Sequence, residues 1–95
     1  METFANIDEQ EFRKFLEAKD YPEPEVLERE ANFSNDQHTH EFSAAALVLS
    51  GEVNVITDAG TTTCRSGDMF TLDSGVPHYE RYGPDGAYYL VSRKV

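Results

Sequence analysis

The stretch His38–Glu52, HTHEFSAAALVLSGE, decides how the rest of the chain is read. It sets two of the chain's three histidines one residue apart, just ahead of an apolar run. In an extended strand alternate side chains share a face, so His38 and His40 point the same way. Two imidazoles on one face can bind one ion. A third ligand must come from elsewhere, and His78, in DSGVPHYE, is the one histidine left.

Outward from this stretch the chain reads as short strands separated by turns. VLEREANF (26–33) is a candidate strand, and SNDQ (34–37) is a turn into the histidine pair. SAAALVLSG (43–51) and EVNVIT (52–57) carry apolar and β-branched runs, and DAG (58–60) is a hairpin turn of the Asp/Gly type. TTTCR, MFTLD, HYERY and AYYLVSR follow, with SGD, SGVP and GPDG as turn-rich joints. Many short strands at close spacing argue an antiparallel sandwich or barrel.

The N-terminal segment has a different texture. NIDEQEFRKFLEAKD (6–20) reads as one short helix. Asp8 with Glu11 resembles a capping box, and Ile7 is placed to staple onto Phe12. Phe12, Phe15 and Leu16 fall at i, i+3 and i+4, an apolar stripe that must lie against a barrel, its own or a partner's. YPEPE (21–25) stops the helix and acts as a stiff spacer. The division expected is one domain over 1–95, with a helix at 6–20 and a barrel over 26–95.

Composition narrows the partners. Eight basic against eighteen acidic residues give a formal charge of −10. That field disfavours nucleic acid and anionic lipid surfaces. An anionic small substrate stays compatible, because a bound divalent cation reverses the sign locally. The single cysteine, Cys64, makes no internal disulfide and reads as core. No apolar run reaches the roughly 20 residues of a membrane helix. The acidic start, METFANIDEQEF, lacks the basic and apolar regions of a signal peptide, so a cytoplasmic protein is expected.

HTHEFSAAALVLSGE followed by GDMFTLDSGVPH resembles the two paired motifs of the cupin superfamily. His38, His40 and Gly51 sit where the first motif asks, and Gly67, Gly75 and His78 match the second, with Asp73 in place of its first proline. The resemblance covers about residues 26 to 95. It implies an all-β fold, a double-stranded β-helix or jelly-roll barrel, in agreement with the strand reading. It also implies a metal held by His38, His40 and His78, and pairing of two copies as a homodimer. One departure stands out: the position of the motif's glutamate ligand, counted back from Gly51, is Ala44. Glu41 is near, but its odd offset from His40 turns it off the metal face. Three neutral imidazoles would leave a divalent ion about +2 of local charge and open coordination positions, which suits anionic substrates. Imidazoles alone leave the metal open among iron, zinc, nickel, manganese and copper.

If His78 points inward, period two brings Glu80 and Tyr82 in as well. They would then act as base and orienting donor, or Glu80 would hydrogen-bond a ligand imidazole. A single bulge would turn both outward. Tyr88 and Tyr89 fall on opposite faces of the last strand. The function expected is that of a small metalloenzyme using oxygenase, isomerase or lyase chemistry on a small anionic substrate, with Glu80 moving the proton. The alternatives are a barrel that binds or senses a small ligand without turnover, and a structural barrel.

Overall fold

The run AAALVL at 44–49 shows no alternation because both faces of its strand are covered. In the computed structural model, which describes residues 1–95, it belongs to β3 (Ser43–Thr57). Before it come β1 (Glu2–Phe4), α1 (Glu9–Ala18) and β2 (Glu25–Arg29). After it come β4 (Gly60–Arg65), β5 (Met69–Leu72) and β6 (Tyr79–Lys94). All pairings are antiparallel, in the order β1-β5-β3-β6-β2, with β4 hairpinned onto β3 through Asp58 and Ala59. The all-β barrel with a short N-terminal helix expected from the sequence is the fold observed.

One face of β3 turns Ala46 and Val48 into the barrel, where they pack with Phe70, Leu72, Tyr89 and Val91. The other turns Ala45 and Leu47 outward onto Phe12 and Leu16 of α1, with Met69 and Leu90 beside them. The helix therefore covers its own barrel. Asp8 caps it by accepting a 2.8 Å hydrogen bond from the Glu11 amide, and Ile7 packs in the cluster that holds Phe12. The helix spans 9–18 within the 6–20 segment, and its end is closed by Tyr21 N–H donating to the Leu16 carbonyl at 2.8 Å. Ser92 Oγ then donates to the Pro22 carbonyl at 2.7 Å, which ties the YPEPE spacer to β6.

The barrel keeps its interior apolar by inverting the parity of both long strands. Ala46 and Val48 face inward at even positions, then Val53 and Val55 at odd ones, and the register of β3 against β6 shifts between Val48 and Val53. On β6, Tyr82 faces inward, then Ala87, Tyr89 and Val91. The four residues Gly83–Gly86 lie opposite the single Glu52, since Gly51 pairs Ala87 and Val53 pairs Tyr82. Such a bulge resets which side chains face the core.

Three sequence expectations are thereby corrected. SAAALVLSG and EVNVIT are one bent strand rather than two. GPDG is a bulge inside β6, because β3 pairs with β6 both before it, at Tyr79–Tyr82, and after it, at Ala87–Lys94. SNDQ is not a turn. The reversal falls at Ala31–Asn32, with Asn32 at φ 59°. The chain then runs beside β6: Tyr82 N–H donates to Phe33 O at 2.8 Å, Asn35 N–H donates to Glu80 O at 3.2 Å, and Ser34 bridges Arg81. No helix is long and apolar enough to cross a membrane.

Candidate metal centre

The three histidines meet because their backbones are paired. His38 N–H donates to the His78 carbonyl at 2.8 Å and His78 N–H returns the bond to His38 at 3.0 Å. The His40 carbonyl accepts from Gly75 N–H at 2.9 Å, which pins the second half of HTH to the turn ahead of His78. The ring centroids lie 4.4 Å apart for His38–His78, 4.7 Å for His38–His40 and 5.0 Å for His40–His78. One ring nitrogen from each falls within 4.8 Å of the others, the geometry of a potential ion-binding cluster.

The outer nitrogens orient the inner ones. Nδ1 of His38 lies 2.7 Å from the Asp36 carbonyl and Nδ1 of His78 lies 2.8 Å from the Val76 carbonyl. A carbonyl only accepts, so each Nδ1 carries a proton, which in a neutral imidazole leaves the lone pair on Nε2. Nε2 of His78 is buried with no hydrogen-bond partner. A buried polar atom without a partner costs about 1–3 kcal/mol, and a metal ion is a group that satisfies a lone pair there. Burial, reinforced by His38 and His78, lowers the His40 pKa from 6.5, which favours the neutral form of that ring. The donor set therefore fits a divalent transition ion.

The cluster opens on a cavity of about 140 Å³. Ala44 lines it, so no carboxylate reaches the histidines from β3. A carboxylate arrives instead from β6. Glu80 Oε1 lies 3.5 Å from His78 Nε2, and Oε2 lies 3.8 Å from His38 Nε2. Glu41 is exposed and takes no part. Tyr82 also lines the cavity, and its hydroxyl lies 3.1 Å from that of Tyr89. Burial, and then the bond to Tyr89, raise the Tyr82 pKa, so the phenol stays protonated.

Sequence reading overlooked several lining residues. Phe42 stacks on His40 at 4.5 Å and 19°, and it shares the even parity of 38, 40 and 44, so a signal existed. Asn35 holds Glu80 through its side chain, and Arg29 and Arg93 also line the cavity. Nothing local in the sequence marks these, because each reaches the site across a strand boundary.

Comparison with known proteins adds the lineage. The family model described as "Cupin domain" matches residues 26–88. No curated protein matches the chain. Among solved structures, it resembles a conserved protein of unknown function from Streptococcus pyogenes, with a TM-score of 0.65 at 20% identity over 73% of this chain and 60% of that one. A protein of unknown function from Rhizobium leguminosarum gives 0.69 at 22%, over 73% and 65%. An RmlC-like cupin from Shewanella frigidimarina gives 0.64 at 22%, over 76% and 66%. The chain thus spans less than two thirds of the length of these structures.

Proposed function

The chain belongs to the cupin family, and from that premise we propose that His38, His40 and His78 hold one divalent transition metal, iron, zinc, nickel, manganese or copper, in a metalloenzyme acting on a small anionic substrate. The observation that carries this reading is the buried, unpartnered Nε2 of His78, aimed at two further imidazoles. A metal held there supplies Lewis acidity toward a substrate oxygen and, if redox-active, electron transfer.

The chain's own residues would do the rest. Glu80 would take or deliver a proton at Oε1, the oxygen left free by Asn35. Phe42, Leu72 and Val91 would exclude water from the substrate's apolar part. Tyr82 would orient an oxygen through its hydroxyl. The chemistry class, oxygenase, isomerase or lyase, follows from the metal found. Two copies would pair through the outer sheet face, where Val26 and Tyr88 are exposed on adjacent strands.

Glu80→Gln tests the assignment of roles. The enzyme reading expects turnover to fall about 100-fold or more with metal content unchanged, the usual scale for removing a positioned acid or base. Loss of metal instead would make Glu80 a support of the histidines. Retained metal with no turnover in the parent across oxygen-uptake, lyase and isomerase assays would favour the alternative, a barrel that binds a small ligand.

A further inference from the structure

Arg29 is the arginine of this cavity that has no acidic partner. Arg13, Arg65 and Arg93 each lie within 3.2 Å of a glutamate oxygen. No carboxylate comes within 4.0 Å of the Arg29 guanidinium, whose contacts are a 3.4 Å bond from Nη1 to the Glu28 carbonyl and the face of Phe33, 5.8 Å from Cζ to the ring centroid. A half-buried guanidinium carries five N–H donors, so most of these donors are free. In a chain of formal charge −10, a positive group left unpaired at a cavity wall is conspicuous. β2 aims it: Leu27, two residues earlier on the same face, packs against the inner core.

The same wall carries a second spare donor. The Tyr82 and Tyr89 hydroxyls have two protons, and only one can lie in the 3.1 Å gap between the oxygens. The other has no protein acceptor. The positive charge of Arg29 opposes the upward shift of the Tyr82 pKa, which places guanidinium and phenol within electrostatic reach. Along β6 Tyr82 lies two strand steps beyond Glu80 and four beyond His78, about 13 Å along the backbone. These donors line the same cavity as the imidazoles and enter it from β2 and the part of β6 beyond Glu80.

We propose that Arg29, with the free hydroxyl proton of the Tyr82–Tyr89 pair, forms a carboxylate-binding subsite, so that the substrate is a small monocarboxylate whose apolar body lies between this subsite and the histidines. The assignment rests on the metal-binding reading of the histidines. One guanidinium and one hydroxyl match a single negative charge, with bidentate geometry available to the carboxylate. A phosphomonoester, nearly doubly charged at neutral pH, would be undercompensated here. The cavity, about 140 Å³, is of the size that takes a benzene-sized body.

The test titrates butyrate, butyramide and methyl phosphate into the metal-free and the zinc-reconstituted full chain, followed by backbone amide NMR shifts. Zinc content is measured on every sample. The subsite predicts that butyrate binds metal-free protein, shifts Tyr82 and Arg29, and binds at least tenfold more tightly than butyramide or methyl phosphate. Arg29→Gln should weaken butyrate at least tenfold, Tyr89→Phe severalfold, and Arg81→Gln, the exposed unpaired arginine outside the cavity, less than twofold. Butyrate binding that requires zinc and survives Arg29→Gln would overturn the subsite while leaving the metal reading intact. Absence of zinc uptake with butyrate binding retained would overturn the metal reading alone. Equal binding of methyl phosphate would overturn the carboxylate assignment.

Discussion

Asn35 grips Glu80 at both ends. Its Nδ2 donates to Glu80 Oε2 at 2.6 Å, and its Oδ1 accepts from the Glu80 backbone N–H at 2.8 Å. One amide thus sets the carboxylate's rotation and the strand position beneath it. This leaves Oε1 facing His78 at 3.5 Å.

Asn35→Ala should therefore destabilise more than an ordinary loop substitution. It strands a half-buried carboxylate oxygen and a backbone N–H, and a cost of about 1–3 kcal/mol is expected. Urea unfolding of the variant measures it. A change under about 0.5 kcal/mol, the usual surface value, would show that water replaces the clamp.

Gly51 and Gly67 separate two effects of glycine. Both have positive φ, 83° and 87°. A Cβ at Gly67 meets nothing within 4 Å, whereas one at Gly51 comes within 2.8 Å of the Ala87 Cα. Gly67→Ala should cost about 1–2 kcal/mol, the conformational penalty alone. Gly51→Ala adds a backbone clash where β3 meets the bulge of β6, so at least about 3 kcal/mol is expected. Equal midpoints in urea would contradict this close approach.

Phe12, fully buried beneath α1, holds the helix to the sheet with Leu16. Phe12→Ala should destabilise by about 3–5 kcal/mol. Its effect on the histidine rings should be small, since Ala45 and Leu47 face the helix while Ala46 faces the barrel. Histidine side-chain NMR shifts that move as far as those of α1 would argue against this separation of the two faces.

Burial pushes the Cys64 thiol up to about 11 from its ordinary 9.0, with Asp68 adding to the shift. The native thiol should therefore resist alkylation at pH 8 and react only on unfolding. The sign for stability follows from proton binding. Between pH 9 and about 11 the unfolded chain has already lost the proton that the folded chain retains. Stability contributed by the neutral thiol is complete below pH 9 and drains away toward pH 11. Cys64→Ala should flatten that part of the pH profile. Rapid native alkylation at pH 8 would contradict the burial.

Much of the site was legible because its chemistry sits on strand parity. His38, His40 and Ala44 were placed by period two alone, and Glu80 and Tyr82 followed from His78. The opposite faces of Tyr88 and Tyr89 read correctly for the same reason, and Cys64 read as core because a free cysteine behaves as a small apolar residue. Composition misled where a bulge intervened: GPDG looked like a loop because four turn-forming residues stand together, yet pairing with β3 before and after it holds it within β6. SNDQ looked like a turn for the same compositional reason, while its Asn35 uses its side chain to pair with β6. Arg29 and Asn35 were invisible as site residues because only the closed barrel brings β2 to the cavity and sets Asn35 beside Glu80 of β6.

The most direct test of the metal centre is elemental analysis of the purified, tag-free protein beside His78→Ala, both after reconstitution with iron(II) and with zinc. A catalytic-type site predicts about one equivalent of transition metal in the parent and loss of most of it in the variant. No metal in the parent after reconstitution, or equal metal in both proteins, would contradict a centre built on His38, His40 and His78.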